Sequence, residues 1–387
     1  MKYKKMMLSS LVVGSLALSA LTGCGKGAAS ASANSNVPSS KTETINFYSG
    51  GDTNVQDLWQ KDIIPKFEAE NPNIKVHLVF SQHGNGSGAI FQKLEAAKKS
   101  QQKSVDVDVW EGGSSDITQG AQDGIWEKLS QTDIPNLSKI DSKNLSLVNN
   151  LAIPYRASSV VLAYNKDKVK NVPQTPDELY AWIRSHKGKF AYNDPSTGGA
   201  GDSFVTTAIY NFLPAADMSK PYDKSIEAKW NKGLNLLKSL APDLYQGGVY
   251  PKGNQGTLDL LAKGDIYMAP AWSDMALQEK ANKTLPSNIA LSQLTPGFTG
   301  GPAYLMIPSL SAHKAAAEKF LNFVLSMNAQ KEVVNKMYGY PGIKWSEMPS
   351  DFQEKFKAVA KDYRIFVGGQ YSTDMHKLWQ DKVVAGQ

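Results

Sequence analysis

Strand-like and helix-like patterns of apolar residues alternate along the first half of the chain. Strands are predicted at residues 45–51, 74–80, 105–110 and 158–165, where apolar and β-branched side chains are concentrated between turn-forming residues. The first run ends in two glycines, and the third alternates between Val and Asp. Runs of this length and composition are typical of strands that are buried on at least one face.

Helices are predicted in the intervals between these strands. The first of them has apolar residues at helical spacing and should end at Asn71-Pro72, because proline does not continue a helix. Further helices are predicted around 89–100, in the stretch 111–124 that follows the third strand, and from Thr175. The resulting β-α-β-α order predicts an α/β fold with parallel or mixed sheets, in which ligands bind beyond the carboxyl ends of the strands.

The N-terminal segment has the pattern of an export signal. Lys2, Lys4 and Lys5 precede an uncharged, mostly apolar run that is short for a membrane span, and Cys24, the only cysteine, follows it. The sequence Leu21-Thr22-Gly23-Cys24 resembles the lipobox of bacterial lipoproteins, which implies cleavage after residue 23 and diacylation of Cys24. The alternative is an ordinary signal peptide with an incidental cysteine. In the lipoprotein interpretation, residues 24–42 comprise the lipidated cysteine and a flexible Gly/Ala/Ser-rich linker.

Charge and motif content exclude several classes of function. Without residues 1–23 the formal charge falls from +6 to +3, and no basic stripe suggests nucleic-acid binding. The five histidines are scattered and predict no metal site, and neither a G-x-S-x-G elbow nor a phosphate-binding P-loop occurs. Carboxylates are numerous, so a glycosidase pair stays open, but no spacing selects one. We therefore expect a binding protein without cofactor rather than an enzyme.

Four junctions combine small residues with an acid or an aromatic residue. They are residues 49–52, 110–115, 192–204 and 269–276. Glycines allow backbone N–H groups to approach a ligand, while Trp and Tyr offer flat apolar faces to a sugar or a cation. Each junction alone is also typical of a capped helix start. Together, at the ends of strands, they predict a ligand cleft.

The order of these segments resembles the extracellular solute-binding proteins of bacterial ABC importers, a group with maltose-, polyamine-, ferric-ion- and thiamine-binding members. The stretches that carry the resemblance are INFYSGGDTNVQDLWQKDIIPKFEAENPNIKV, VDVDVWEGG, AIPYRASSVVLAYNKDKV, LLAKGDIYMAPAWSDMA and GPAYLMIPSLSAHKAAAEKFLNFVLSMNAQKEVV. They cover nearly all of the chain after the linker. The loop DPSTGGAGDSF is more similar to the thiamine, iron and phosphonate branches than to the maltose branch.

The resemblance implies a type II periplasmic-binding-protein-like fold, with two α/β lobes that contain mixed sheets and close on a solute about a hinge. Lobe one would comprise residues 43–154 and 300–326, and lobe two residues 155–299 and 327–387, with crossings near 154–158, 294–300 and 326–330. The partners implied are a small-molecule solute and a membrane permease. The protein would be a lipid-anchored monomer on the outer face of the cytoplasmic membrane.

The resemblance also implies which residues contact the solute. These are Asp52, Trp110 and Glu111 in lobe one, Tyr155 at the hinge with Arg156 beside it, Asp194, Ser196, Thr197 and Gly198 in lobe two, Trp272 and Asp274 opposite, and Tyr304 on the returning strand. Since acids outnumber bases in this set, we favour a cationic or zwitterionic organic solute, such as a polyamine or a thiamine-like compound. A sugar held by the aromatic residues, or an anion held by Arg156 and the N–H groups of 196–199, stays open. So do a lipid-anchored hydrolase and an adhesin or sensory module.

Overall fold

The computed structural model describes residues 42–82, 87–356, 359–360 and 363–385 of the chain. The predicted signal peptide, the linker up to residue 41 and Cys24 lie outside the described residues. Within the described part, no helix has the length and apolar content needed to cross a bilayer.

The described residues form strands and helices throughout. The strands are β1 Glu43–Gly51, β2 Ile74–Gln82, β3 Val109–Gly112, β4 Ile153–Asn165, β5 Met268–Trp272, β6 Ile289–Ser292, β7 Gly300–Met306 and β8 Tyr340–Pro341. The α-helices are α1 Thr53–Asp57, α2 Ile64–Glu70, α3 Ser87–Lys99, α4 Ser114–Gln122, α5 Ser142–Leu147, α6 Pro176–Ser185, α7 Gly199–Tyr210, α8 Asn231–Leu240, α9 Gly253–Lys263, α10 Ser273–Ala281, α11 Lys314–Val324, α12 Met327–Glu332, α13 Ser350–Phe356 and α14 Gln370–Trp379. Segments of π-helix occupy Leu58–Ile63, Val333–Met337 and Gln380–Val384.

The predicted strands are confirmed, and two of them differ from the prediction by more than two residues at one end: β4 begins at Ile153, five residues early, and the third strand begins late. The strand predicted at 105–110 begins only at Val109, because Asp108 replaces part of the backbone ladder. Its buried carboxylate accepts a hydrogen bond from the backbone N–H of Asn46 (2.8 Å) and another from the hydroxyl of Ser311 (2.6 Å). A buried carboxylate must be hydrogen-bonded, and here this requirement shapes the entry to the strand.

The strands form a mixed sheet, as the sequence predicts. β1 pairs in parallel with β2 and β3, whereas β7 is antiparallel to both β3 and β4, giving the order β2-β1-β3-β7-β4-β5. The first half of β4 pairs with β7, and its second half pairs with β5 and β6. One long strand therefore connects the two parts of the sheet.

Apolar side chains form separate cores on these two parts. Around β1 the core contains Phe47, whose ring meets Trp59 edge-on at 4.7 Å, and Phe320 from α11. Around the second half of β4 another core contains Phe204 and Trp379. We call the parts of the chain around these two cores the first lobe and the second lobe. Buried aromatic residues dominate both, and they contribute most to the apolar area removed from water.

The C-terminal part of the chain departs from the predicted division at 326–330. In that region α12 and the π-helical segment after it stay in the first lobe, because Ala329 of α12 and Val333 and Met337 of the π-helix pack into its core. Phe356 and Val359 belong to the same core. Only from Phe366 onward do apolar residues join the second lobe. The predicted assignment of all of 327–387 to lobe two is therefore wrong for 327–359.

Candidate functional site

A cleft of about 430 Å³ lies between the two lobes, beyond the carboxyl ends of β1, β3 and β5. Ligands of open α/β sheets bind at this position. The carboxylates that line the cleft are those of Asp52, Glu111, Asp116 and Asp274, and Arg156 supplies the one basic side chain among its described lining residues. We call this cavity the acid cleft.

Glu111 is the most heavily hydrogen-bonded of the four acids. Its Oε1 accepts from the Tyr155 hydroxyl at 2.6 Å, and its Oε2 accepts from Ser49 and from the indole of Trp59. The guanidinium of Arg156 lies 3.5 Å from Oε1, and its Nε donates to the Tyr155 hydroxyl at 2.6 Å. Glu111 and Arg156 thus form a neutral pair in the cleft wall.

Burial and close contacts set the charges of Tyr155 and Arg156 in this wall. Burial raises the pKa of the Tyr155 hydroxyl well above its ordinary value, so this group stays protonated and acts as a donor. Burial opposes the charge on Arg156, but Tyr155 and Glu111 hold its pKa above the ordinary value of arginine. The guanidinium remains charged at every pH at which the protein is folded.

Asp274 begins α10 and connects the second lobe to the first. Its Oδ1 accepts from the Ser158 hydroxyl at 2.6 Å, and its Oδ2 accepts from the Asn54 amide of the first lobe at 3.2 Å. The side chain is buried, and burial raises its pKa although Arg156 and Ser158 pull in the opposite direction. Because burial disfavours the negative charge of Asp274, a cation bound in the cleft would stabilise that charge.

A second hydrogen bond between the lobes lies at the start of α1. The Asn254 amide, at the start of α9, donates to Asp52 at 2.7 Å. Its carbonyl oxygen accepts from the backbone N–H of Ala200, in the first turn of α7, at 2.9 Å. Asn254 therefore links the N-terminus of α7 to the first lobe. Two Asp–Asn pairs, Asp52–Asn254 and Asn54–Asp274, hold the cleft walls together.

Trp110 and Asp116 form the part of the cleft around Gly112. A Cβ on Gly112 would lie 2.8 Å from Trp110 Nε1 and 2.5 Å from an Asp116 oxygen, so only glycine fits there. Burial raises the pKa of Asp116, against the hydrogen bond that it accepts from the Gly113 N–H. Among the described residues, nothing accepts a hydrogen bond from the buried Trp110 Nε1. This indole N–H is a buried donor in the wall of the cleft.

The structure brings together most of the residues predicted from the sequence. The predicted residues that line the acid cleft are Asp52, Trp110, Glu111, Gly198, Trp272 and Asp274. Trp272 is half-buried, and a Cβ on the neighbouring Gly199 would lie 2.8 Å from its ring. The aromatic face and the N-terminus of α7 therefore meet in the second lobe's wall.

Five predicted residues lie elsewhere, for identifiable reasons. Tyr155 lies fully buried behind Glu111, and it orients that carboxylate rather than lining the cleft. Asp194 accepts from the backbone N–H and the hydroxyl of Ser196, and Thr197 bonds back to the Asp194 carbonyl, so these three form a turn. This turn places Gly198 at the cleft.

Tyr304 lines an adjoining cavity of about 280 Å³ instead of the acid cleft. That cavity shares Trp272 and Pro302 with the cleft, so the two are neighbours. Burial raises the pKa of Tyr304 to about 12, and its hydroxyl stays neutral.

Sequence reasoning did not select four polar residues of the cleft. They are Asn54, Asp116, Ser158 and Asn254. Asn54 and Ser158 lie within the stretches that carry the family resemblance, and an acid three residues after Gly113 is a capping signal that could have identified Asp116. Asn254 has no local signal, because its partners Asp52 and Ala200 lie far away in the chain.

Metal binding is not suggested by the side chains of the cleft. Within the described residues, no group of three or more His, Cys, Asp or Glu side chains is arranged to hold a metal ion. The cleft acids are held apart by separate amide and hydroxyl donors. The lining of the cleft therefore presents several separate carboxylates, each with its own neutral hydrogen-bond donors.

Comparison with known proteins identifies a relative that is named as a component of a transporter. The chain is 24% identical over 259 residues, 61% of this chain and 58% of the relative, to the maltooligosaccharide ABC transporter solute-binding lipoprotein of Streptococcus pneumoniae. The chain spans about half the length of the curated relatives it matches, with 50% and 58% covered.

Solved structures share the fold at low sequence identity. The substrate-binding protein PotD of a spermidine/putrescine ABC transporter from Streptococcus pneumoniae matches with a TM-score of 0.64 at 15% identity, over 89% of this chain and 100% of that chain. The periplasmic binding protein AfuA from Actinobacillus pleuropneumoniae matches with a TM-score of 0.61 at 18% identity, over 89% and 99% of the two chains. The predicted two-lobe α/β fold is thereby confirmed.

The family assignment rests on a match that covers most of the chain. The model of the family described as bacterial extracellular solute-binding protein matches residues 62–358, which include α2, β4 and the cleft-lining residues from Trp110 to Ala303. Proteins of this kind bind solutes and are not enzymes. This chain belongs to the bacterial extracellular solute-binding protein family.

Proposed function

We propose that this protein is the substrate-binding component of an ABC importer and that it captures a small cationic or zwitterionic organic solute in the acid cleft. The observation that carries this proposal is the charge of the cleft wall. Glu111 and Arg156 form an ion pair, and the wall carries three further carboxylates, those of Asp52, Asp116 and Asp274, while its described lining residues include no second basic side chain. Buried carboxylates favour a ligand that brings the missing positive charge.

Closure of the lobes would capture the solute. The hydrogen bonds Asn54–Asp274 and Asn254–Asp52 form only when the cleft walls meet, and a solute held by the same acids stabilises that arrangement. We assign residues 43–154 and 300–359 to the closing first lobe and the remaining described residues to the second. Bending is expected in β4 near 154–158, where the strand passes between the lobes.

Delivery requires the protein to stay beside its permease. We propose that Cys24 is acylated after removal of residues 1–23 and that residues 25–42 act as a flexible tether at the outer face of the cytoplasmic membrane. The curated relative from Streptococcus pneumoniae is named a lipoprotein, in agreement with this proposal. The protein would work as a monomer with its permease.

Isothermal titration calorimetry tests the proposed solute class. Spermidine, choline, maltotriose and inorganic phosphate are titrated into the purified full chain, and binding of a cation with weak or no binding of phosphate is expected. Asp116→Asn should weaken cation binding by roughly tenfold, since an ion pair in a partly buried site contributes on the order of 1–2 kcal/mol. The exposed Asp123→Asn is the matched control. Binding of phosphate alone would refute the proposal.

A neutral sugar is the second candidate, and a specific feature favours it. The unpartnered Trp110 Nε1 can donate to a hydroxyl, and the half-buried Trp272 offers a face on which a sugar ring stacks. The relative named as a maltooligosaccharide-binding lipoprotein fits this candidate. Maltotriose binding that survives Asp116→Asn but is lost in Trp272→Ala would establish the sugar and exclude the cation.

A further inference from the structure

A second chamber adjoins the acid cleft in the first lobe. It has a volume of about 450 Å³, and Tyr340, Trp345 and Tyr363 form its aromatic wall together with Pro154 and Ile343. We call it the aromatic chamber. It is as large as the acid cleft, and nothing in the proposed capture of a small cation uses it.

The two cavities meet at Arg156 of β4. Arg156 and Pro302 line both cavities. Along β4, Pro154 lines the chamber and Ser158 lines the cleft, with Arg156 between them lining both, and the pairing of β4 with β7 shifts register between Pro154 and Arg156. A single elongated solute that passes Arg156 can therefore occupy both.

The chamber differs from the cleft in charge. Apart from Arg156, whose charge is paired with Glu111, its charged side chains are the carboxylate of Asp141 and the ammonium of Lys344, which balance each other, and this ammonium donates to the Ser138 carbonyl at 2.9 Å. An additional positive charge would gain nothing there. The part of the solute that enters the chamber should be uncharged.

The aromatic wall is rigid and suited to a flat group. The rings of Tyr340 and Tyr363 are 20° from parallel with centroids 6.4 Å apart, and Trp345 lies 6.3 Å from Tyr340. Tyr340 is fixed by β8 and by its hydroxyl, which donates to the Val359 carbonyl at 2.7 Å. Trp345 and Tyr363 are half-buried and keep accessible ring surface. Such surfaces stack on flat rings with little loss of side-chain freedom.

We infer that the solute is an elongated organic cation that carries a flat, uncharged ring, with its charge in the acid cleft and its ring in the aromatic chamber. This inference rests on the proposed function and selects, within the cationic class, a ring-bearing compound over a linear polyamine. Arg156, held by Glu111 and Tyr155, is the fixed wall between the two ends.

The test compares two series of amines on the purified full chain. Phenylalkylamines of increasing chain length are titrated beside alkylamines of the same carbon number that lack the ring, with calorimetry as the readout. At least one phenylalkylamine should bind roughly tenfold tighter than its alkyl counterpart, because stacking adds to the burial of the ring. Trp345→Ala and Tyr363→Ala should each reduce this ratio severalfold.

Two further variants make the result specific to the chamber. Trp345→Phe keeps a ring and should retain the preference, which separates ring loss from damage to the fold. Phe212→Ala, an exposed aromatic residue that lines neither cavity, is the control. Equal affinity in both series, or a preference that Trp345→Ala and Tyr363→Ala do not change, overturns the inference while the cationic solute stands. If neither series nor spermidine binds, the proposed function fails and the inference fails with it.

Discussion

The hydrogen bond between Asn54 and Asp274 should contribute directly to closure of the cleft. Asn54→Ala removes the amide that donates to Asp274 Oδ2 at 3.2 Å across the lobes. In the closed form the buried carboxylate then loses a donor, whereas in an open form water takes its place. A hydrogen bond to a charged group contributes about 1.5–3 kcal/mol, so the closed form should lose roughly tenfold to a hundredfold in population relative to the open form.

Small-angle X-ray scattering and calorimetry measure the two sides of this prediction. The radius of gyration of the variant should increase without ligand, and the affinity for spermidine should fall by up to the same factor, because binding must then also close the lobes. Asn73→Ala, which changes an exposed asparagine of the first lobe, is the control. If Asn54→Ala leaves both the scattering and the affinity within about twofold of the unchanged protein, the proposed role of this bond in closure is incorrect.

Three further outcomes follow from the site. Burial raises the pKa of Asp116 and of Asp274, so both take up protons above the ordinary range of aspartate; spermidine affinity should fall as the pH drops from about 7 towards 5, and calorimetry on Asp116→Asn should show a flatter profile. Gly199→Ala should weaken spermidine binding at least about tenfold, because the added Cβ would lie 2.8 Å from the Trp272 ring. Gly256→Ala is the control, since its Cβ would lie 3.4 Å from Pro251 and binding should persist. Equal affinities of the two variants in calorimetry would contradict this prediction. Cys24→Ala should move the protein from the membrane fraction to the medium, as measured by fractionation and immunoblot, and retention at the membrane would argue against the lipid anchor.

The same pKa shifts have a consequence for stability. A carboxyl group whose pKa is raised in the folded protein binds its proton more tightly there than in the unfolded chain. Its contribution to the free energy of unfolding is therefore greatest below the unfolded pKa and is lost as the pH rises through the folded pKa. At neutral pH the buried charges of Asp116 and Asp274 act against folding, and a bound cation offsets that effect.

The local sequence pattern was sufficient to predict the strands and helices and some of the residues that line the acid cleft. The runs at 45–51, 74–80 and 158–165 became β1, β2 and β4 because apolar alternation requires a buried face. Asp52, Trp110 and Trp272 reached the cleft because each stands at or just after the end of a strand. Such positions can be predicted from the sequence, because a residue at the carboxyl end of a strand also lies at the edge of the sheet where the ligand cleft opens.

The failures occurred where contacts join distant parts of the chain. Asp194 stands in a glycine-rich loop with the composition of a ligand loop, yet its carboxylate is used by Ser196 within the turn. Tyr155 lies in a strand whose alternation directs it into the core, one position from the cleft-lining Arg156. A side chain's hydrogen-bond partners and the face it occupies depend on neighbours that the local sequence does not specify.

The sequence by itself determined the α/β class and the acidic character of the candidate pocket, because these follow from local periodicity and from residue type at the strand ends. Its periodicity left parallel and mixed sheets open, and the antiparallel pairing of β7 with β3 and β4 makes the sheet mixed. Only the tertiary structure decided that Glu111 is neutralised by Arg156, that Asn54 and Asn254 connect the lobes, and that residues 327–359 belong to the first lobe. It also decided that an aromatic chamber continues from the cleft along β4. These features arise from side chains up to about 220 positions apart that meet only after both cores have formed.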